Sequence, residues 1–148
     1  MALSNARDWM MLNTGNKSEA AMGYSTLYGD TSGAFAPIGG LYKTEVFALV
    51  RWRNKQAAEK GQVPPVPENV LVKPPSAELS PNQVDEASMG IDYKTLDAIL
   101  LRLVEAGESV DQVAAAGFPR TQVSMVTNRY RSYAFKRAIE PPFPEVPR

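Results

Sequence analysis

The chain has 148 residues, 44% of them hydrophobic and 22% charged, and its 16 basic and 16 acidic residues give a formal net charge of zero. A chain of this length buries one core, and its neutrality argues against broad electrostatic capture of nucleic acid or of an anionic membrane. It contains neither cysteine nor histidine. Any chemistry must therefore use carboxylates, lysines, hydroxyls, backbone amides and a borrowed metal, which excludes disulfides, structural zinc and catalysis by a thiol or an imidazole.

The N-terminal sequence shows no sign of a signal peptide. Residues 1–8 lack a basic start followed by an apolar run. No apolar stretch of the chain approaches the length of a membrane span. We therefore expect a cytoplasmic protein that has no membrane partner and, given its neutrality, no nucleic-acid partner.

A short strand followed by a helix is predicted near the start of the chain. Residues 9–13 form an apolar run that is typical of a parallel strand buried on both faces. Asn16 or Ser18 is a suitable N-cap for a helix over about 19–27. The seam between them, Thr14–Glu19, combines small polar groups, a lysine and a carboxylate.

A second helix and a proline-rich segment follow. The helix is predicted from Thr44, a suitable N-cap, to about Lys60, with Gly61 as its stop. Between residues 61 and 86 the sequence has six prolines. Prolines at this density prevent regular structure for long, so the segment is predicted to be an extended or mobile loop.

The last third of the chain, residues 91–140, is predicted to be helical. Apolar residues at helical spacing over 96–104 indicate one helix, with Gly107 as its stop. Residues 109–112 have the form of a capping box that opens a short helix ending near Gly117. The proline-rich tail that follows this part, residues 142–148, is predicted to be irregular.

A DNA-binding module over residues 109–137 is an alternative interpretation. A longer helix from about Thr121 follows the turn at Gly117, in the manner of a helix-turn-helix. Its inward residues are predicted to be Val123, Val126, Tyr130 and Ala134, with arginines nearby. The zero net charge and the acidic residues just before this segment count against the alternative.

The seam at Thr14–Glu19 has two interpretations. A turn that leaves a buried strand and enters a helix directs backbone N–H groups and the positive helix end at one place. With the hydroxyls of Thr14 and Ser18 and the carboxylate of Glu19, the seam would fit phosphate oxygens and a Mg²⁺ ion held partly by that carboxylate. An ordinary capped helix start with a solvated glutamate is the other interpretation.

Several spaced sequence blocks occur in a distinctive order. They are Thr14–Glu19, Gly23–Asp30, Lys43, Lys73–Leu79, Asp85-Glu86, Tyr93 with Leu96-Asp97, and Lys136-Arg137 before Pro141-Pro142. In this order they resemble the NAD⁺ synthetase family over nearly the whole chain, and its glutamine-dependent branch more closely than its ammonia-dependent one. The resemblance implies an α/β fold. Residues 1–148 would be the C-terminal half of an adenine-nucleotide α-hydrolase-like domain (a PP-loop ATP pyrophosphatase), mostly helical in this part.

The resemblance implies a two-step amidation. ATP adenylates the nicotinate carboxylate of deamido-NAD⁺ and pyrophosphate leaves; ammonia, supplied by a glutaminase domain, then attacks the adenylate to give NAD⁺ and AMP. This chemistry requires neutralised phosphates and two well-placed anions rather than a histidine or cysteine. Synthetase domains of the family commonly pair, so a homo-oligomer is also expected.

Four residues are assigned to ATP and its metal by the resemblance. Thr14 resembles an ATP-contacting threonine, Lys43 resembles the lysine on the ATP phosphates, and Ser76 lies where the family has a hydroxyl on ATP. Glu19 resembles the glutamate that binds magnesium beside the leaving pyrophosphate. Taken singly, each of them also fits an ordinary turn or surface position.

The resemblance assigns two further residues to deamido-NAD⁺. Asp30 resembles an aspartate that binds this substrate, and Lys136 resembles the catalytic lysine near its reacting end. Two positions depart from the ammonia-dependent branch, which has a histidine at Phe135 and a lysine at Leu27.

The resemblance also implies a lid and an incomplete catalytic apparatus. Residues 73–86 correspond to a loop that closes over ATP in the family. The family's phosphate loop, Ser-Gly-Gly-x-Asp-Ser, does not occur in the sequence. We therefore expect the chain alone to be catalytically incompetent.

Overall fold

Nine α-helices and one π-helical turn form the regular structure of the chain, which a computed structural model describes over residues 1–148. They are α1 (Ala2–Arg7), α2 (Lys17–Met22), α3 (Lys43–Glu59), α4 (Asn69–Val72), α5 (Asp85–Met89), α6 (Tyr93–Leu100), the π-helical turn (Leu101–Glu105), α7 (Val110–Ala115), α8 (Arg120–Ser132) and α9 (Ala134–Arg137). None of these helices has the length and apolar character needed to cross a bilayer.

Helix α2 is fixed at both ends by local hydrogen bonds. The Asn16 side chain accepts from the amides of Ser18 and Glu19 at 3.0 and 3.1 Å, and the Glu19 carboxylate accepts the Asn16 amide at 3.2 Å. This capping box confirms Asn16 as the N-cap. Gly23, with φ at 63°, ends the helix in the left-handed conformation, so α2 is shorter than the predicted 19–27.

The hydrophobic core lies where α2, α6, α7 and α8 meet. Its fully buried aliphatic side chains are Leu96, Ile99, Leu100, Val113, Val123 and Val126. The apolar spacing over residues 96–104 predicted a helix, and α6 confirms that prediction as far as Leu100. Each such side chain contributes roughly 1.5–3 kcal/mol when buried, so these helices hold most of the packing energy of the chain.

The predicted strand at residues 9–13 is wrong. The structure contains no β-strand, only an isolated parallel bridge between Leu12 and Phe35. Trp9 and Met10 are 60% and 69% exposed, so the run is not buried on both faces. A run that pairs with one residue on one side has too few ladder hydrogen bonds to form a strand and no layers to cover its side chains.

The start of α3 also differs from the prediction. Tyr42, not Thr44, occupies the N-cap position, and the Glu45 carboxylate accepts the Tyr42 amide at 2.8 Å. The Thr44 hydroxyl donates instead to Asp97, which lies on α6. The predicted stop is confirmed, since Gly61 has φ at 66° directly after the C-cap.

Two predicted features of the second half change in detail. The proline-rich segment 61–86 holds one short helix, α4, and the first residues of α5. The helix predicted over 96–104 becomes π-helical after Leu100, where the Ala106 amide donates to the Leu101 carbonyl at 3.0 Å. The capping box at 109–112 is confirmed, with hydrogen bonds of 3.3 and 2.8 Å between its end residues.

The C-terminal end is more ordered than predicted. Ala134 is exposed, because the helix breaks at Tyr133 before α9 begins, so its predicted inward position is wrong. The tail is irregular, as predicted, yet it packs against the protein. The Ala36 amide donates to the Pro142 carbonyl at 3.0 Å, and the Arg148 guanidinium donates to the Glu45 carboxylate at 2.6 Å.

Two glycine substitutions test the close approach of α2 to the end of α8. Gly23→Ala would place a Cβ 2.1 Å from the Tyr133 ring, whereas Gly61→Ala meets nothing within 4 Å; both residues have positive φ. We expect Gly61→Ala to cost about 1–2 kcal/mol from the left-handed conformation alone. Gly23→Ala should cost about 1–3 kcal/mol more from overpacking. If urea denaturation shows that both variants lose the same unfolding free energy, the close approach of α2 to Tyr133 is contradicted.

Candidate functional site

A cavity of about 850 Å³ opens beside α2 and the first half of α3. Five of the six predicted site residues line it, namely Thr14, Glu19, Asp30, Lys43 and Ser76. The sixth, Lys136, does not. Segments that are distant in sequence are thus brought to one concave surface, which is the usual form of a small-molecule site.

An ion pair between α2 and α3 forms one wall of the cavity. Lys43 Nζ lies 3.1 Å from Glu19 Oε1, and the two side chains are 18% and 20% exposed. The ammonium group also lies 5.4 Å from the centre of the Tyr93 ring and 5.8 Å from that of Phe47. The anion and the rings hold the cation in one place, since both attract positive charge.

The buried carboxylate of Asp97 joins α2, α3 and α6 behind this wall. The Ser18 hydroxyl donates to Asp97 Oδ1 at 2.5 Å and accepts the Lys43 amide at 2.8 Å. The amide and hydroxyl of Thr44 donate to Asp97 Oδ2 at 2.9 and 2.8 Å. Burial raises the pKa of Asp97, and the hydrogen bonds from Ser18 and Thr44 oppose that rise. Sequence reasoning missed this role, although a carboxylate on the apolar face of α6 was a signal for it.

Asn13 holds the two loops that carry Thr14 and Asp30. Its side-chain amide is buried and donates to the carbonyls of Asp30 and Ser32, the latter at 2.9 Å. The Asp30 carboxylate is exposed and accepts the Thr26 amide at 2.9 Å within its own turn. Thr14 is exposed at the cavity surface, so its hydroxyl is available to a ligand.

The segment that carries Ser76 is tied to the body of the protein by Asp85. The buried Asp85 carboxylate accepts the Ala77 amide at 3.0 Å and the Tyr93 hydroxyl at 3.2 Å. The Ser76 hydroxyl accepts the Glu78 amide at 3.1 Å in a local turn. This arrangement presents Ser76 at the surface of the cavity.

Lys136 occupies a position behind the cavity. Its ammonium group donates to the carbonyls of Gly23 and Ser25 at 2.7 and 2.5 Å, just beyond the end of α2. A cation is favourable there because each carbonyl oxygen carries partial negative charge and can accept an N–H of the ammonium group. Ser25 itself lines the cavity, so one residue separates Lys136 from it. The catalytic role of Lys136 stays a prediction.

Comparison with known proteins identifies the family. Residues 1–140 match the family model described as NAD synthase. The chain belongs to the NAD synthase family. This confirms the resemblance that the ordered sequence blocks indicated.

Relatives within the NAD synthase family cover the chain almost completely. It is 46% identical to the glutamine-dependent NAD(+) synthetase of Rhodobacter capsulatus over 99% of this chain and 27% of that protein. The glutamine-dependent NAD(+) synthetase of Xanthomonas campestris is also 46% identical, over 100% of this chain and 26% of that protein. The chain therefore spans about a quarter of the length of these curated relatives.

A solved structure shows the same fold. The NMN synthetase from Francisella tularensis superimposes with a TM-score of 0.69 at 26% identity, over 92% of this chain and 47% of that one. The family assignment and this superposition support the adenine-nucleotide hydrolase-like fold, although the chain itself contains no strand.

The carboxylates of the NAD synthase cavity fit a metal of one particular kind. The structure holds no group of three or more metal-binding side chains. Glu19 uses Oε2 for the Asn16 amide and Oε1 for Lys43, and each oxygen retains a second lone pair. Such a donor suits Mg²⁺, which takes one or two carboxylates and completes its shell with phosphate oxygens and water. It does not suit a metal enclosed by protein ligands alone.

Glu140 is a cavity residue that the sequence did not reveal. Its pKa is raised to about 7, chiefly by burial; the Arg137 guanidinium opposes the rise and the negative charge of Glu19 adds to it. Its sequence context, a charged residue before two prolines, gave no sign of burial. The cavity therefore holds a carboxyl that changes charge near neutral pH.

Glu140 should make the stability of the chain depend on pH. Its pKa is about 7 in the folded chain and about 4.5 when unfolded, so the folded state holds this proton more tightly. Folding stability should therefore fall as pH rises from about 4.5 to about 7, and the deficit should persist above pH 7. Glu140→Gln should be about 1–3 kcal/mol more stable than the parent at pH 8, and equal to it at pH 4.

Urea denaturation at the two pH values measures this difference. Glu145→Gln is the matched control, since Glu145 is exposed in the same tail. It should show the same stability relative to the parent at both pH values. A Glu140→Gln variant that follows the parent across the whole range would contradict the assignment.

Proposed function

We propose that this chain forms the C-terminal part of an enzyme that converts deamido-NAD⁺ to NAD⁺ in an ATP-dependent amidation. The observation that carries the proposal is the convergence of Thr14, Glu19, Lys43 and Ser76 on one cavity in a member of the NAD synthase family. The curated relatives at 46% identity are glutamine-dependent NAD(+) synthetases, which supports the same reaction here.

The proposed chemistry has two balanced steps. An oxygen of the nicotinate carboxylate attacks the α-phosphorus of ATP, and the bond to the bridging oxygen breaks to release pyrophosphate. Ammonia then attacks the activated carbonyl carbon, AMP leaves with the former carboxylate oxygen, and one proton is lost. Neither step needs a side-chain nucleophile, so the work of the protein is placement and charge neutralisation.

Thr14, together with residues of α2, α3 and the 73–86 segment, would bind ATP. The Lys43 ammonium is a point charge for the phosphates, and Thr14 and Ser76 offer hydroxyls at the cavity surface. Glu19 would hold Mg²⁺, which when bound would neutralise charge on the phosphate oxygens. Lys43 would then exchange its contact with Glu19 for a phosphate, which keeps the ammonium paired throughout.

Asp30 and Lys136 are the residues proposed to bind deamido-NAD⁺. Asp30 lies exposed at the rim, where a dinucleotide can reach it. Lys136 would be the catalytic lysine, and its ammonium would have to leave the carbonyls of Gly23 and Ser25 to touch the substrate. No Ser-Gly-Gly-x-Asp-Ser run occurs in the sequence, so we propose that the chain alone binds ligands without turnover.

Partners and location follow from the same proposal. A glutaminase domain would supply ammonia, as in the glutamine-dependent relatives named above. We propose a homo-oligomer in the cytoplasm. The DNA-binding alternative over 109–137 gains no support, because the family match covers this segment and Arg120 is paired with Asp111.

A mononucleotide is the second candidate for the substrate. The Francisella tularensis protein that shares this fold is named NMN synthetase. At 26% identity it is a more distant relative than the NAD(+) synthetases at 46%. Titration of the chain with deamido-NAD⁺ and with nicotinate mononucleotide separates the two, and tighter binding of the mononucleotide would reverse our choice.

Replacement of Lys43 tests the phosphate site. Mg-ATP at a hundred times its Kd should stabilise the chain by about 2.7 kcal/mol, seen as a rise in Tm by circular dichroism. Lys43→Met should weaken Mg-ATP binding about 10–100-fold, since a charge-assisted hydrogen bond is lost. Lys55→Met is the control, because Lys55 lies on the same helix with its side chain 74% exposed. Equal weakening by both variants, or a parent Tm that ignores Mg-ATP, contradicts the proposal.

Limited proteolysis tests the proposed lid. A glutamate-specific protease should cut after Glu78, whose side chain is 67% exposed and whose neighbours line the cavity. Saturating Mg-ATP with deamido-NAD⁺ should slow that cut at least about tenfold, because closure removes the open conformer that is cleaved. The cut after Glu59, at the end of α3, is the internal control, because its side chain is 52% exposed and neither it nor its neighbours line the cavity. Unchanged cleavage at both positions would refute the lid.

A further inference from the structure

We propose that Asp97 is a positioning residue for ATP binding, which caps α3 from outside that helix and so holds Lys43 at the cavity wall. Asp97 lies behind the wall and does not line the cavity. The inference rests on the proposed function of Lys43 as the phosphate-binding lysine.

The first amides of α3 are satisfied by another part of the chain. The first residues of a helix have N–H groups without intrahelical partners, and a side chain at the N-cap normally accepts one of them. Here the Thr44 amide donates to Asp97 at 2.9 Å, and the Lys43 amide donates at 2.8 Å to Ser18, whose hydroxyl donates in turn to Asp97. One carboxylate on α6 therefore anchors both amides, directly or through one hydroxyl.

Inside α3 few side chains are buried, although the N-cap residue Tyr42 just before the helix lies in the core. The helix has 17 residues, and Ala57 near its far end is the only buried one. Val46, Phe47 and Val50 face the cavity rather than the core. The amides of Lys43 and Thr44 are held by Ser18 and Asp97, so the Asp97 bonds contribute directly to the direction of the Lys43 side chain, beside the Tyr42–Glu45 hydrogen bond at the same helix end.

The substitution Asp97→Asn probes these bonds with little change in volume. The asparagine side chain has one oxygen, which can accept from either Ser18 or Thr44. Its NH₂ group can only donate, so on the other side it faces a group that is itself a donor, and at least one hydrogen bond is lost. Ser18→Ala is a milder second variant that removes one link and leaves both Thr44 bonds in place. Asp92→Asn is the matched control, because exposed Asp92 caps α6 itself through the Thr95 amide at 2.9 Å and has no route to Lys43.

A double-mutant cycle on Mg-ATP affinity separates positioning from general stability. We expect Asp97→Asn to weaken binding at least tenfold in the parent and to have no further effect when Lys43→Met is already present. Ser18→Ala should show the same dependence with a smaller loss, and Asp92→Asn should bind as the parent does. Equal weakening by Asp97→Asn in both backgrounds, or no weakening in the parent, would overturn the inference.

A measurement without ATP keeps the inference testable on its own. The rings of Tyr93 and Phe47 should shift the NMR resonances of the Lys43 side chain. Asp97→Asn should collapse that shift while the methyl resonances of the core stay in place, and retention of the shift would overturn the inference. If the parent chain binds no Mg-ATP, the proposed function fails and the NMR result alone decides whether Asp97 positions Lys43.

Discussion

The first turn of α3 is fixed by hydrogen bonds to a buried carboxylate, and the geometry of the cavity wall depends on this constraint. An isolated charge at the position of Asp97 would be costly, because burial strips it of water. Three donors from Ser18 and Thr44 offset that cost. Ser18 lies on α2 and Thr44 on α3, whereas the carboxylate of Asp97 lies on α6. The network therefore favours one arrangement of these three helices.

The elements that the sequence predicted well are those with local causes. The N-cap at Asn16, the capping box at Ser109 and the stop at Gly61 need only neighbouring residues, and all three are present. The apolar face of α6 has the same character, since helical spacing alone places Leu96 and Ile99 in the core. Most of the helices could be predicted from local sequence patterns in this way.

The wrong predictions concern segments whose structure depends on distant partners. The run at residues 9–13 has the composition of a buried strand, but only Phe35 pairs with it. Thr44 has the side chain of an N-cap, yet Asp97 supplies the better acceptor from α6 and moves the helix start to Lys43. The tail is held by the backbone of Gly40 and by Glu45, which no local pattern could reveal.

The sequence predicted most of the residues of the candidate site, but not the residues that hold them in place. The ordered blocks indicated five residues that do line one cavity. This was possible because members of one family share a fold, so matching motifs occupy matching positions. They did not reveal the supporting residues Asn13, Asp85 and Asp97. These are buried polar side chains that bind backbone amides or carbonyls, and their partners are known only once the chain has folded.

The charge of the cavity explains why a metal belongs to the proposed reaction. Its ionisable lining residues are Glu19, Lys43, Asp30, Lys73, Asp85 and Glu140, two cations against four carboxyl groups. ATP is itself a polyanion, so the side chains of this cavity would repel rather than attract it if all were ionised. Lys43 is already paired with Glu19, and the raised pKa of Glu140, about 7, removes part of one negative charge near neutral pH. The remaining imbalance is what a divalent cation shared between Glu19 and the phosphates would correct. Binding of the nucleotide and binding of the metal should therefore be one coupled event in this cavity.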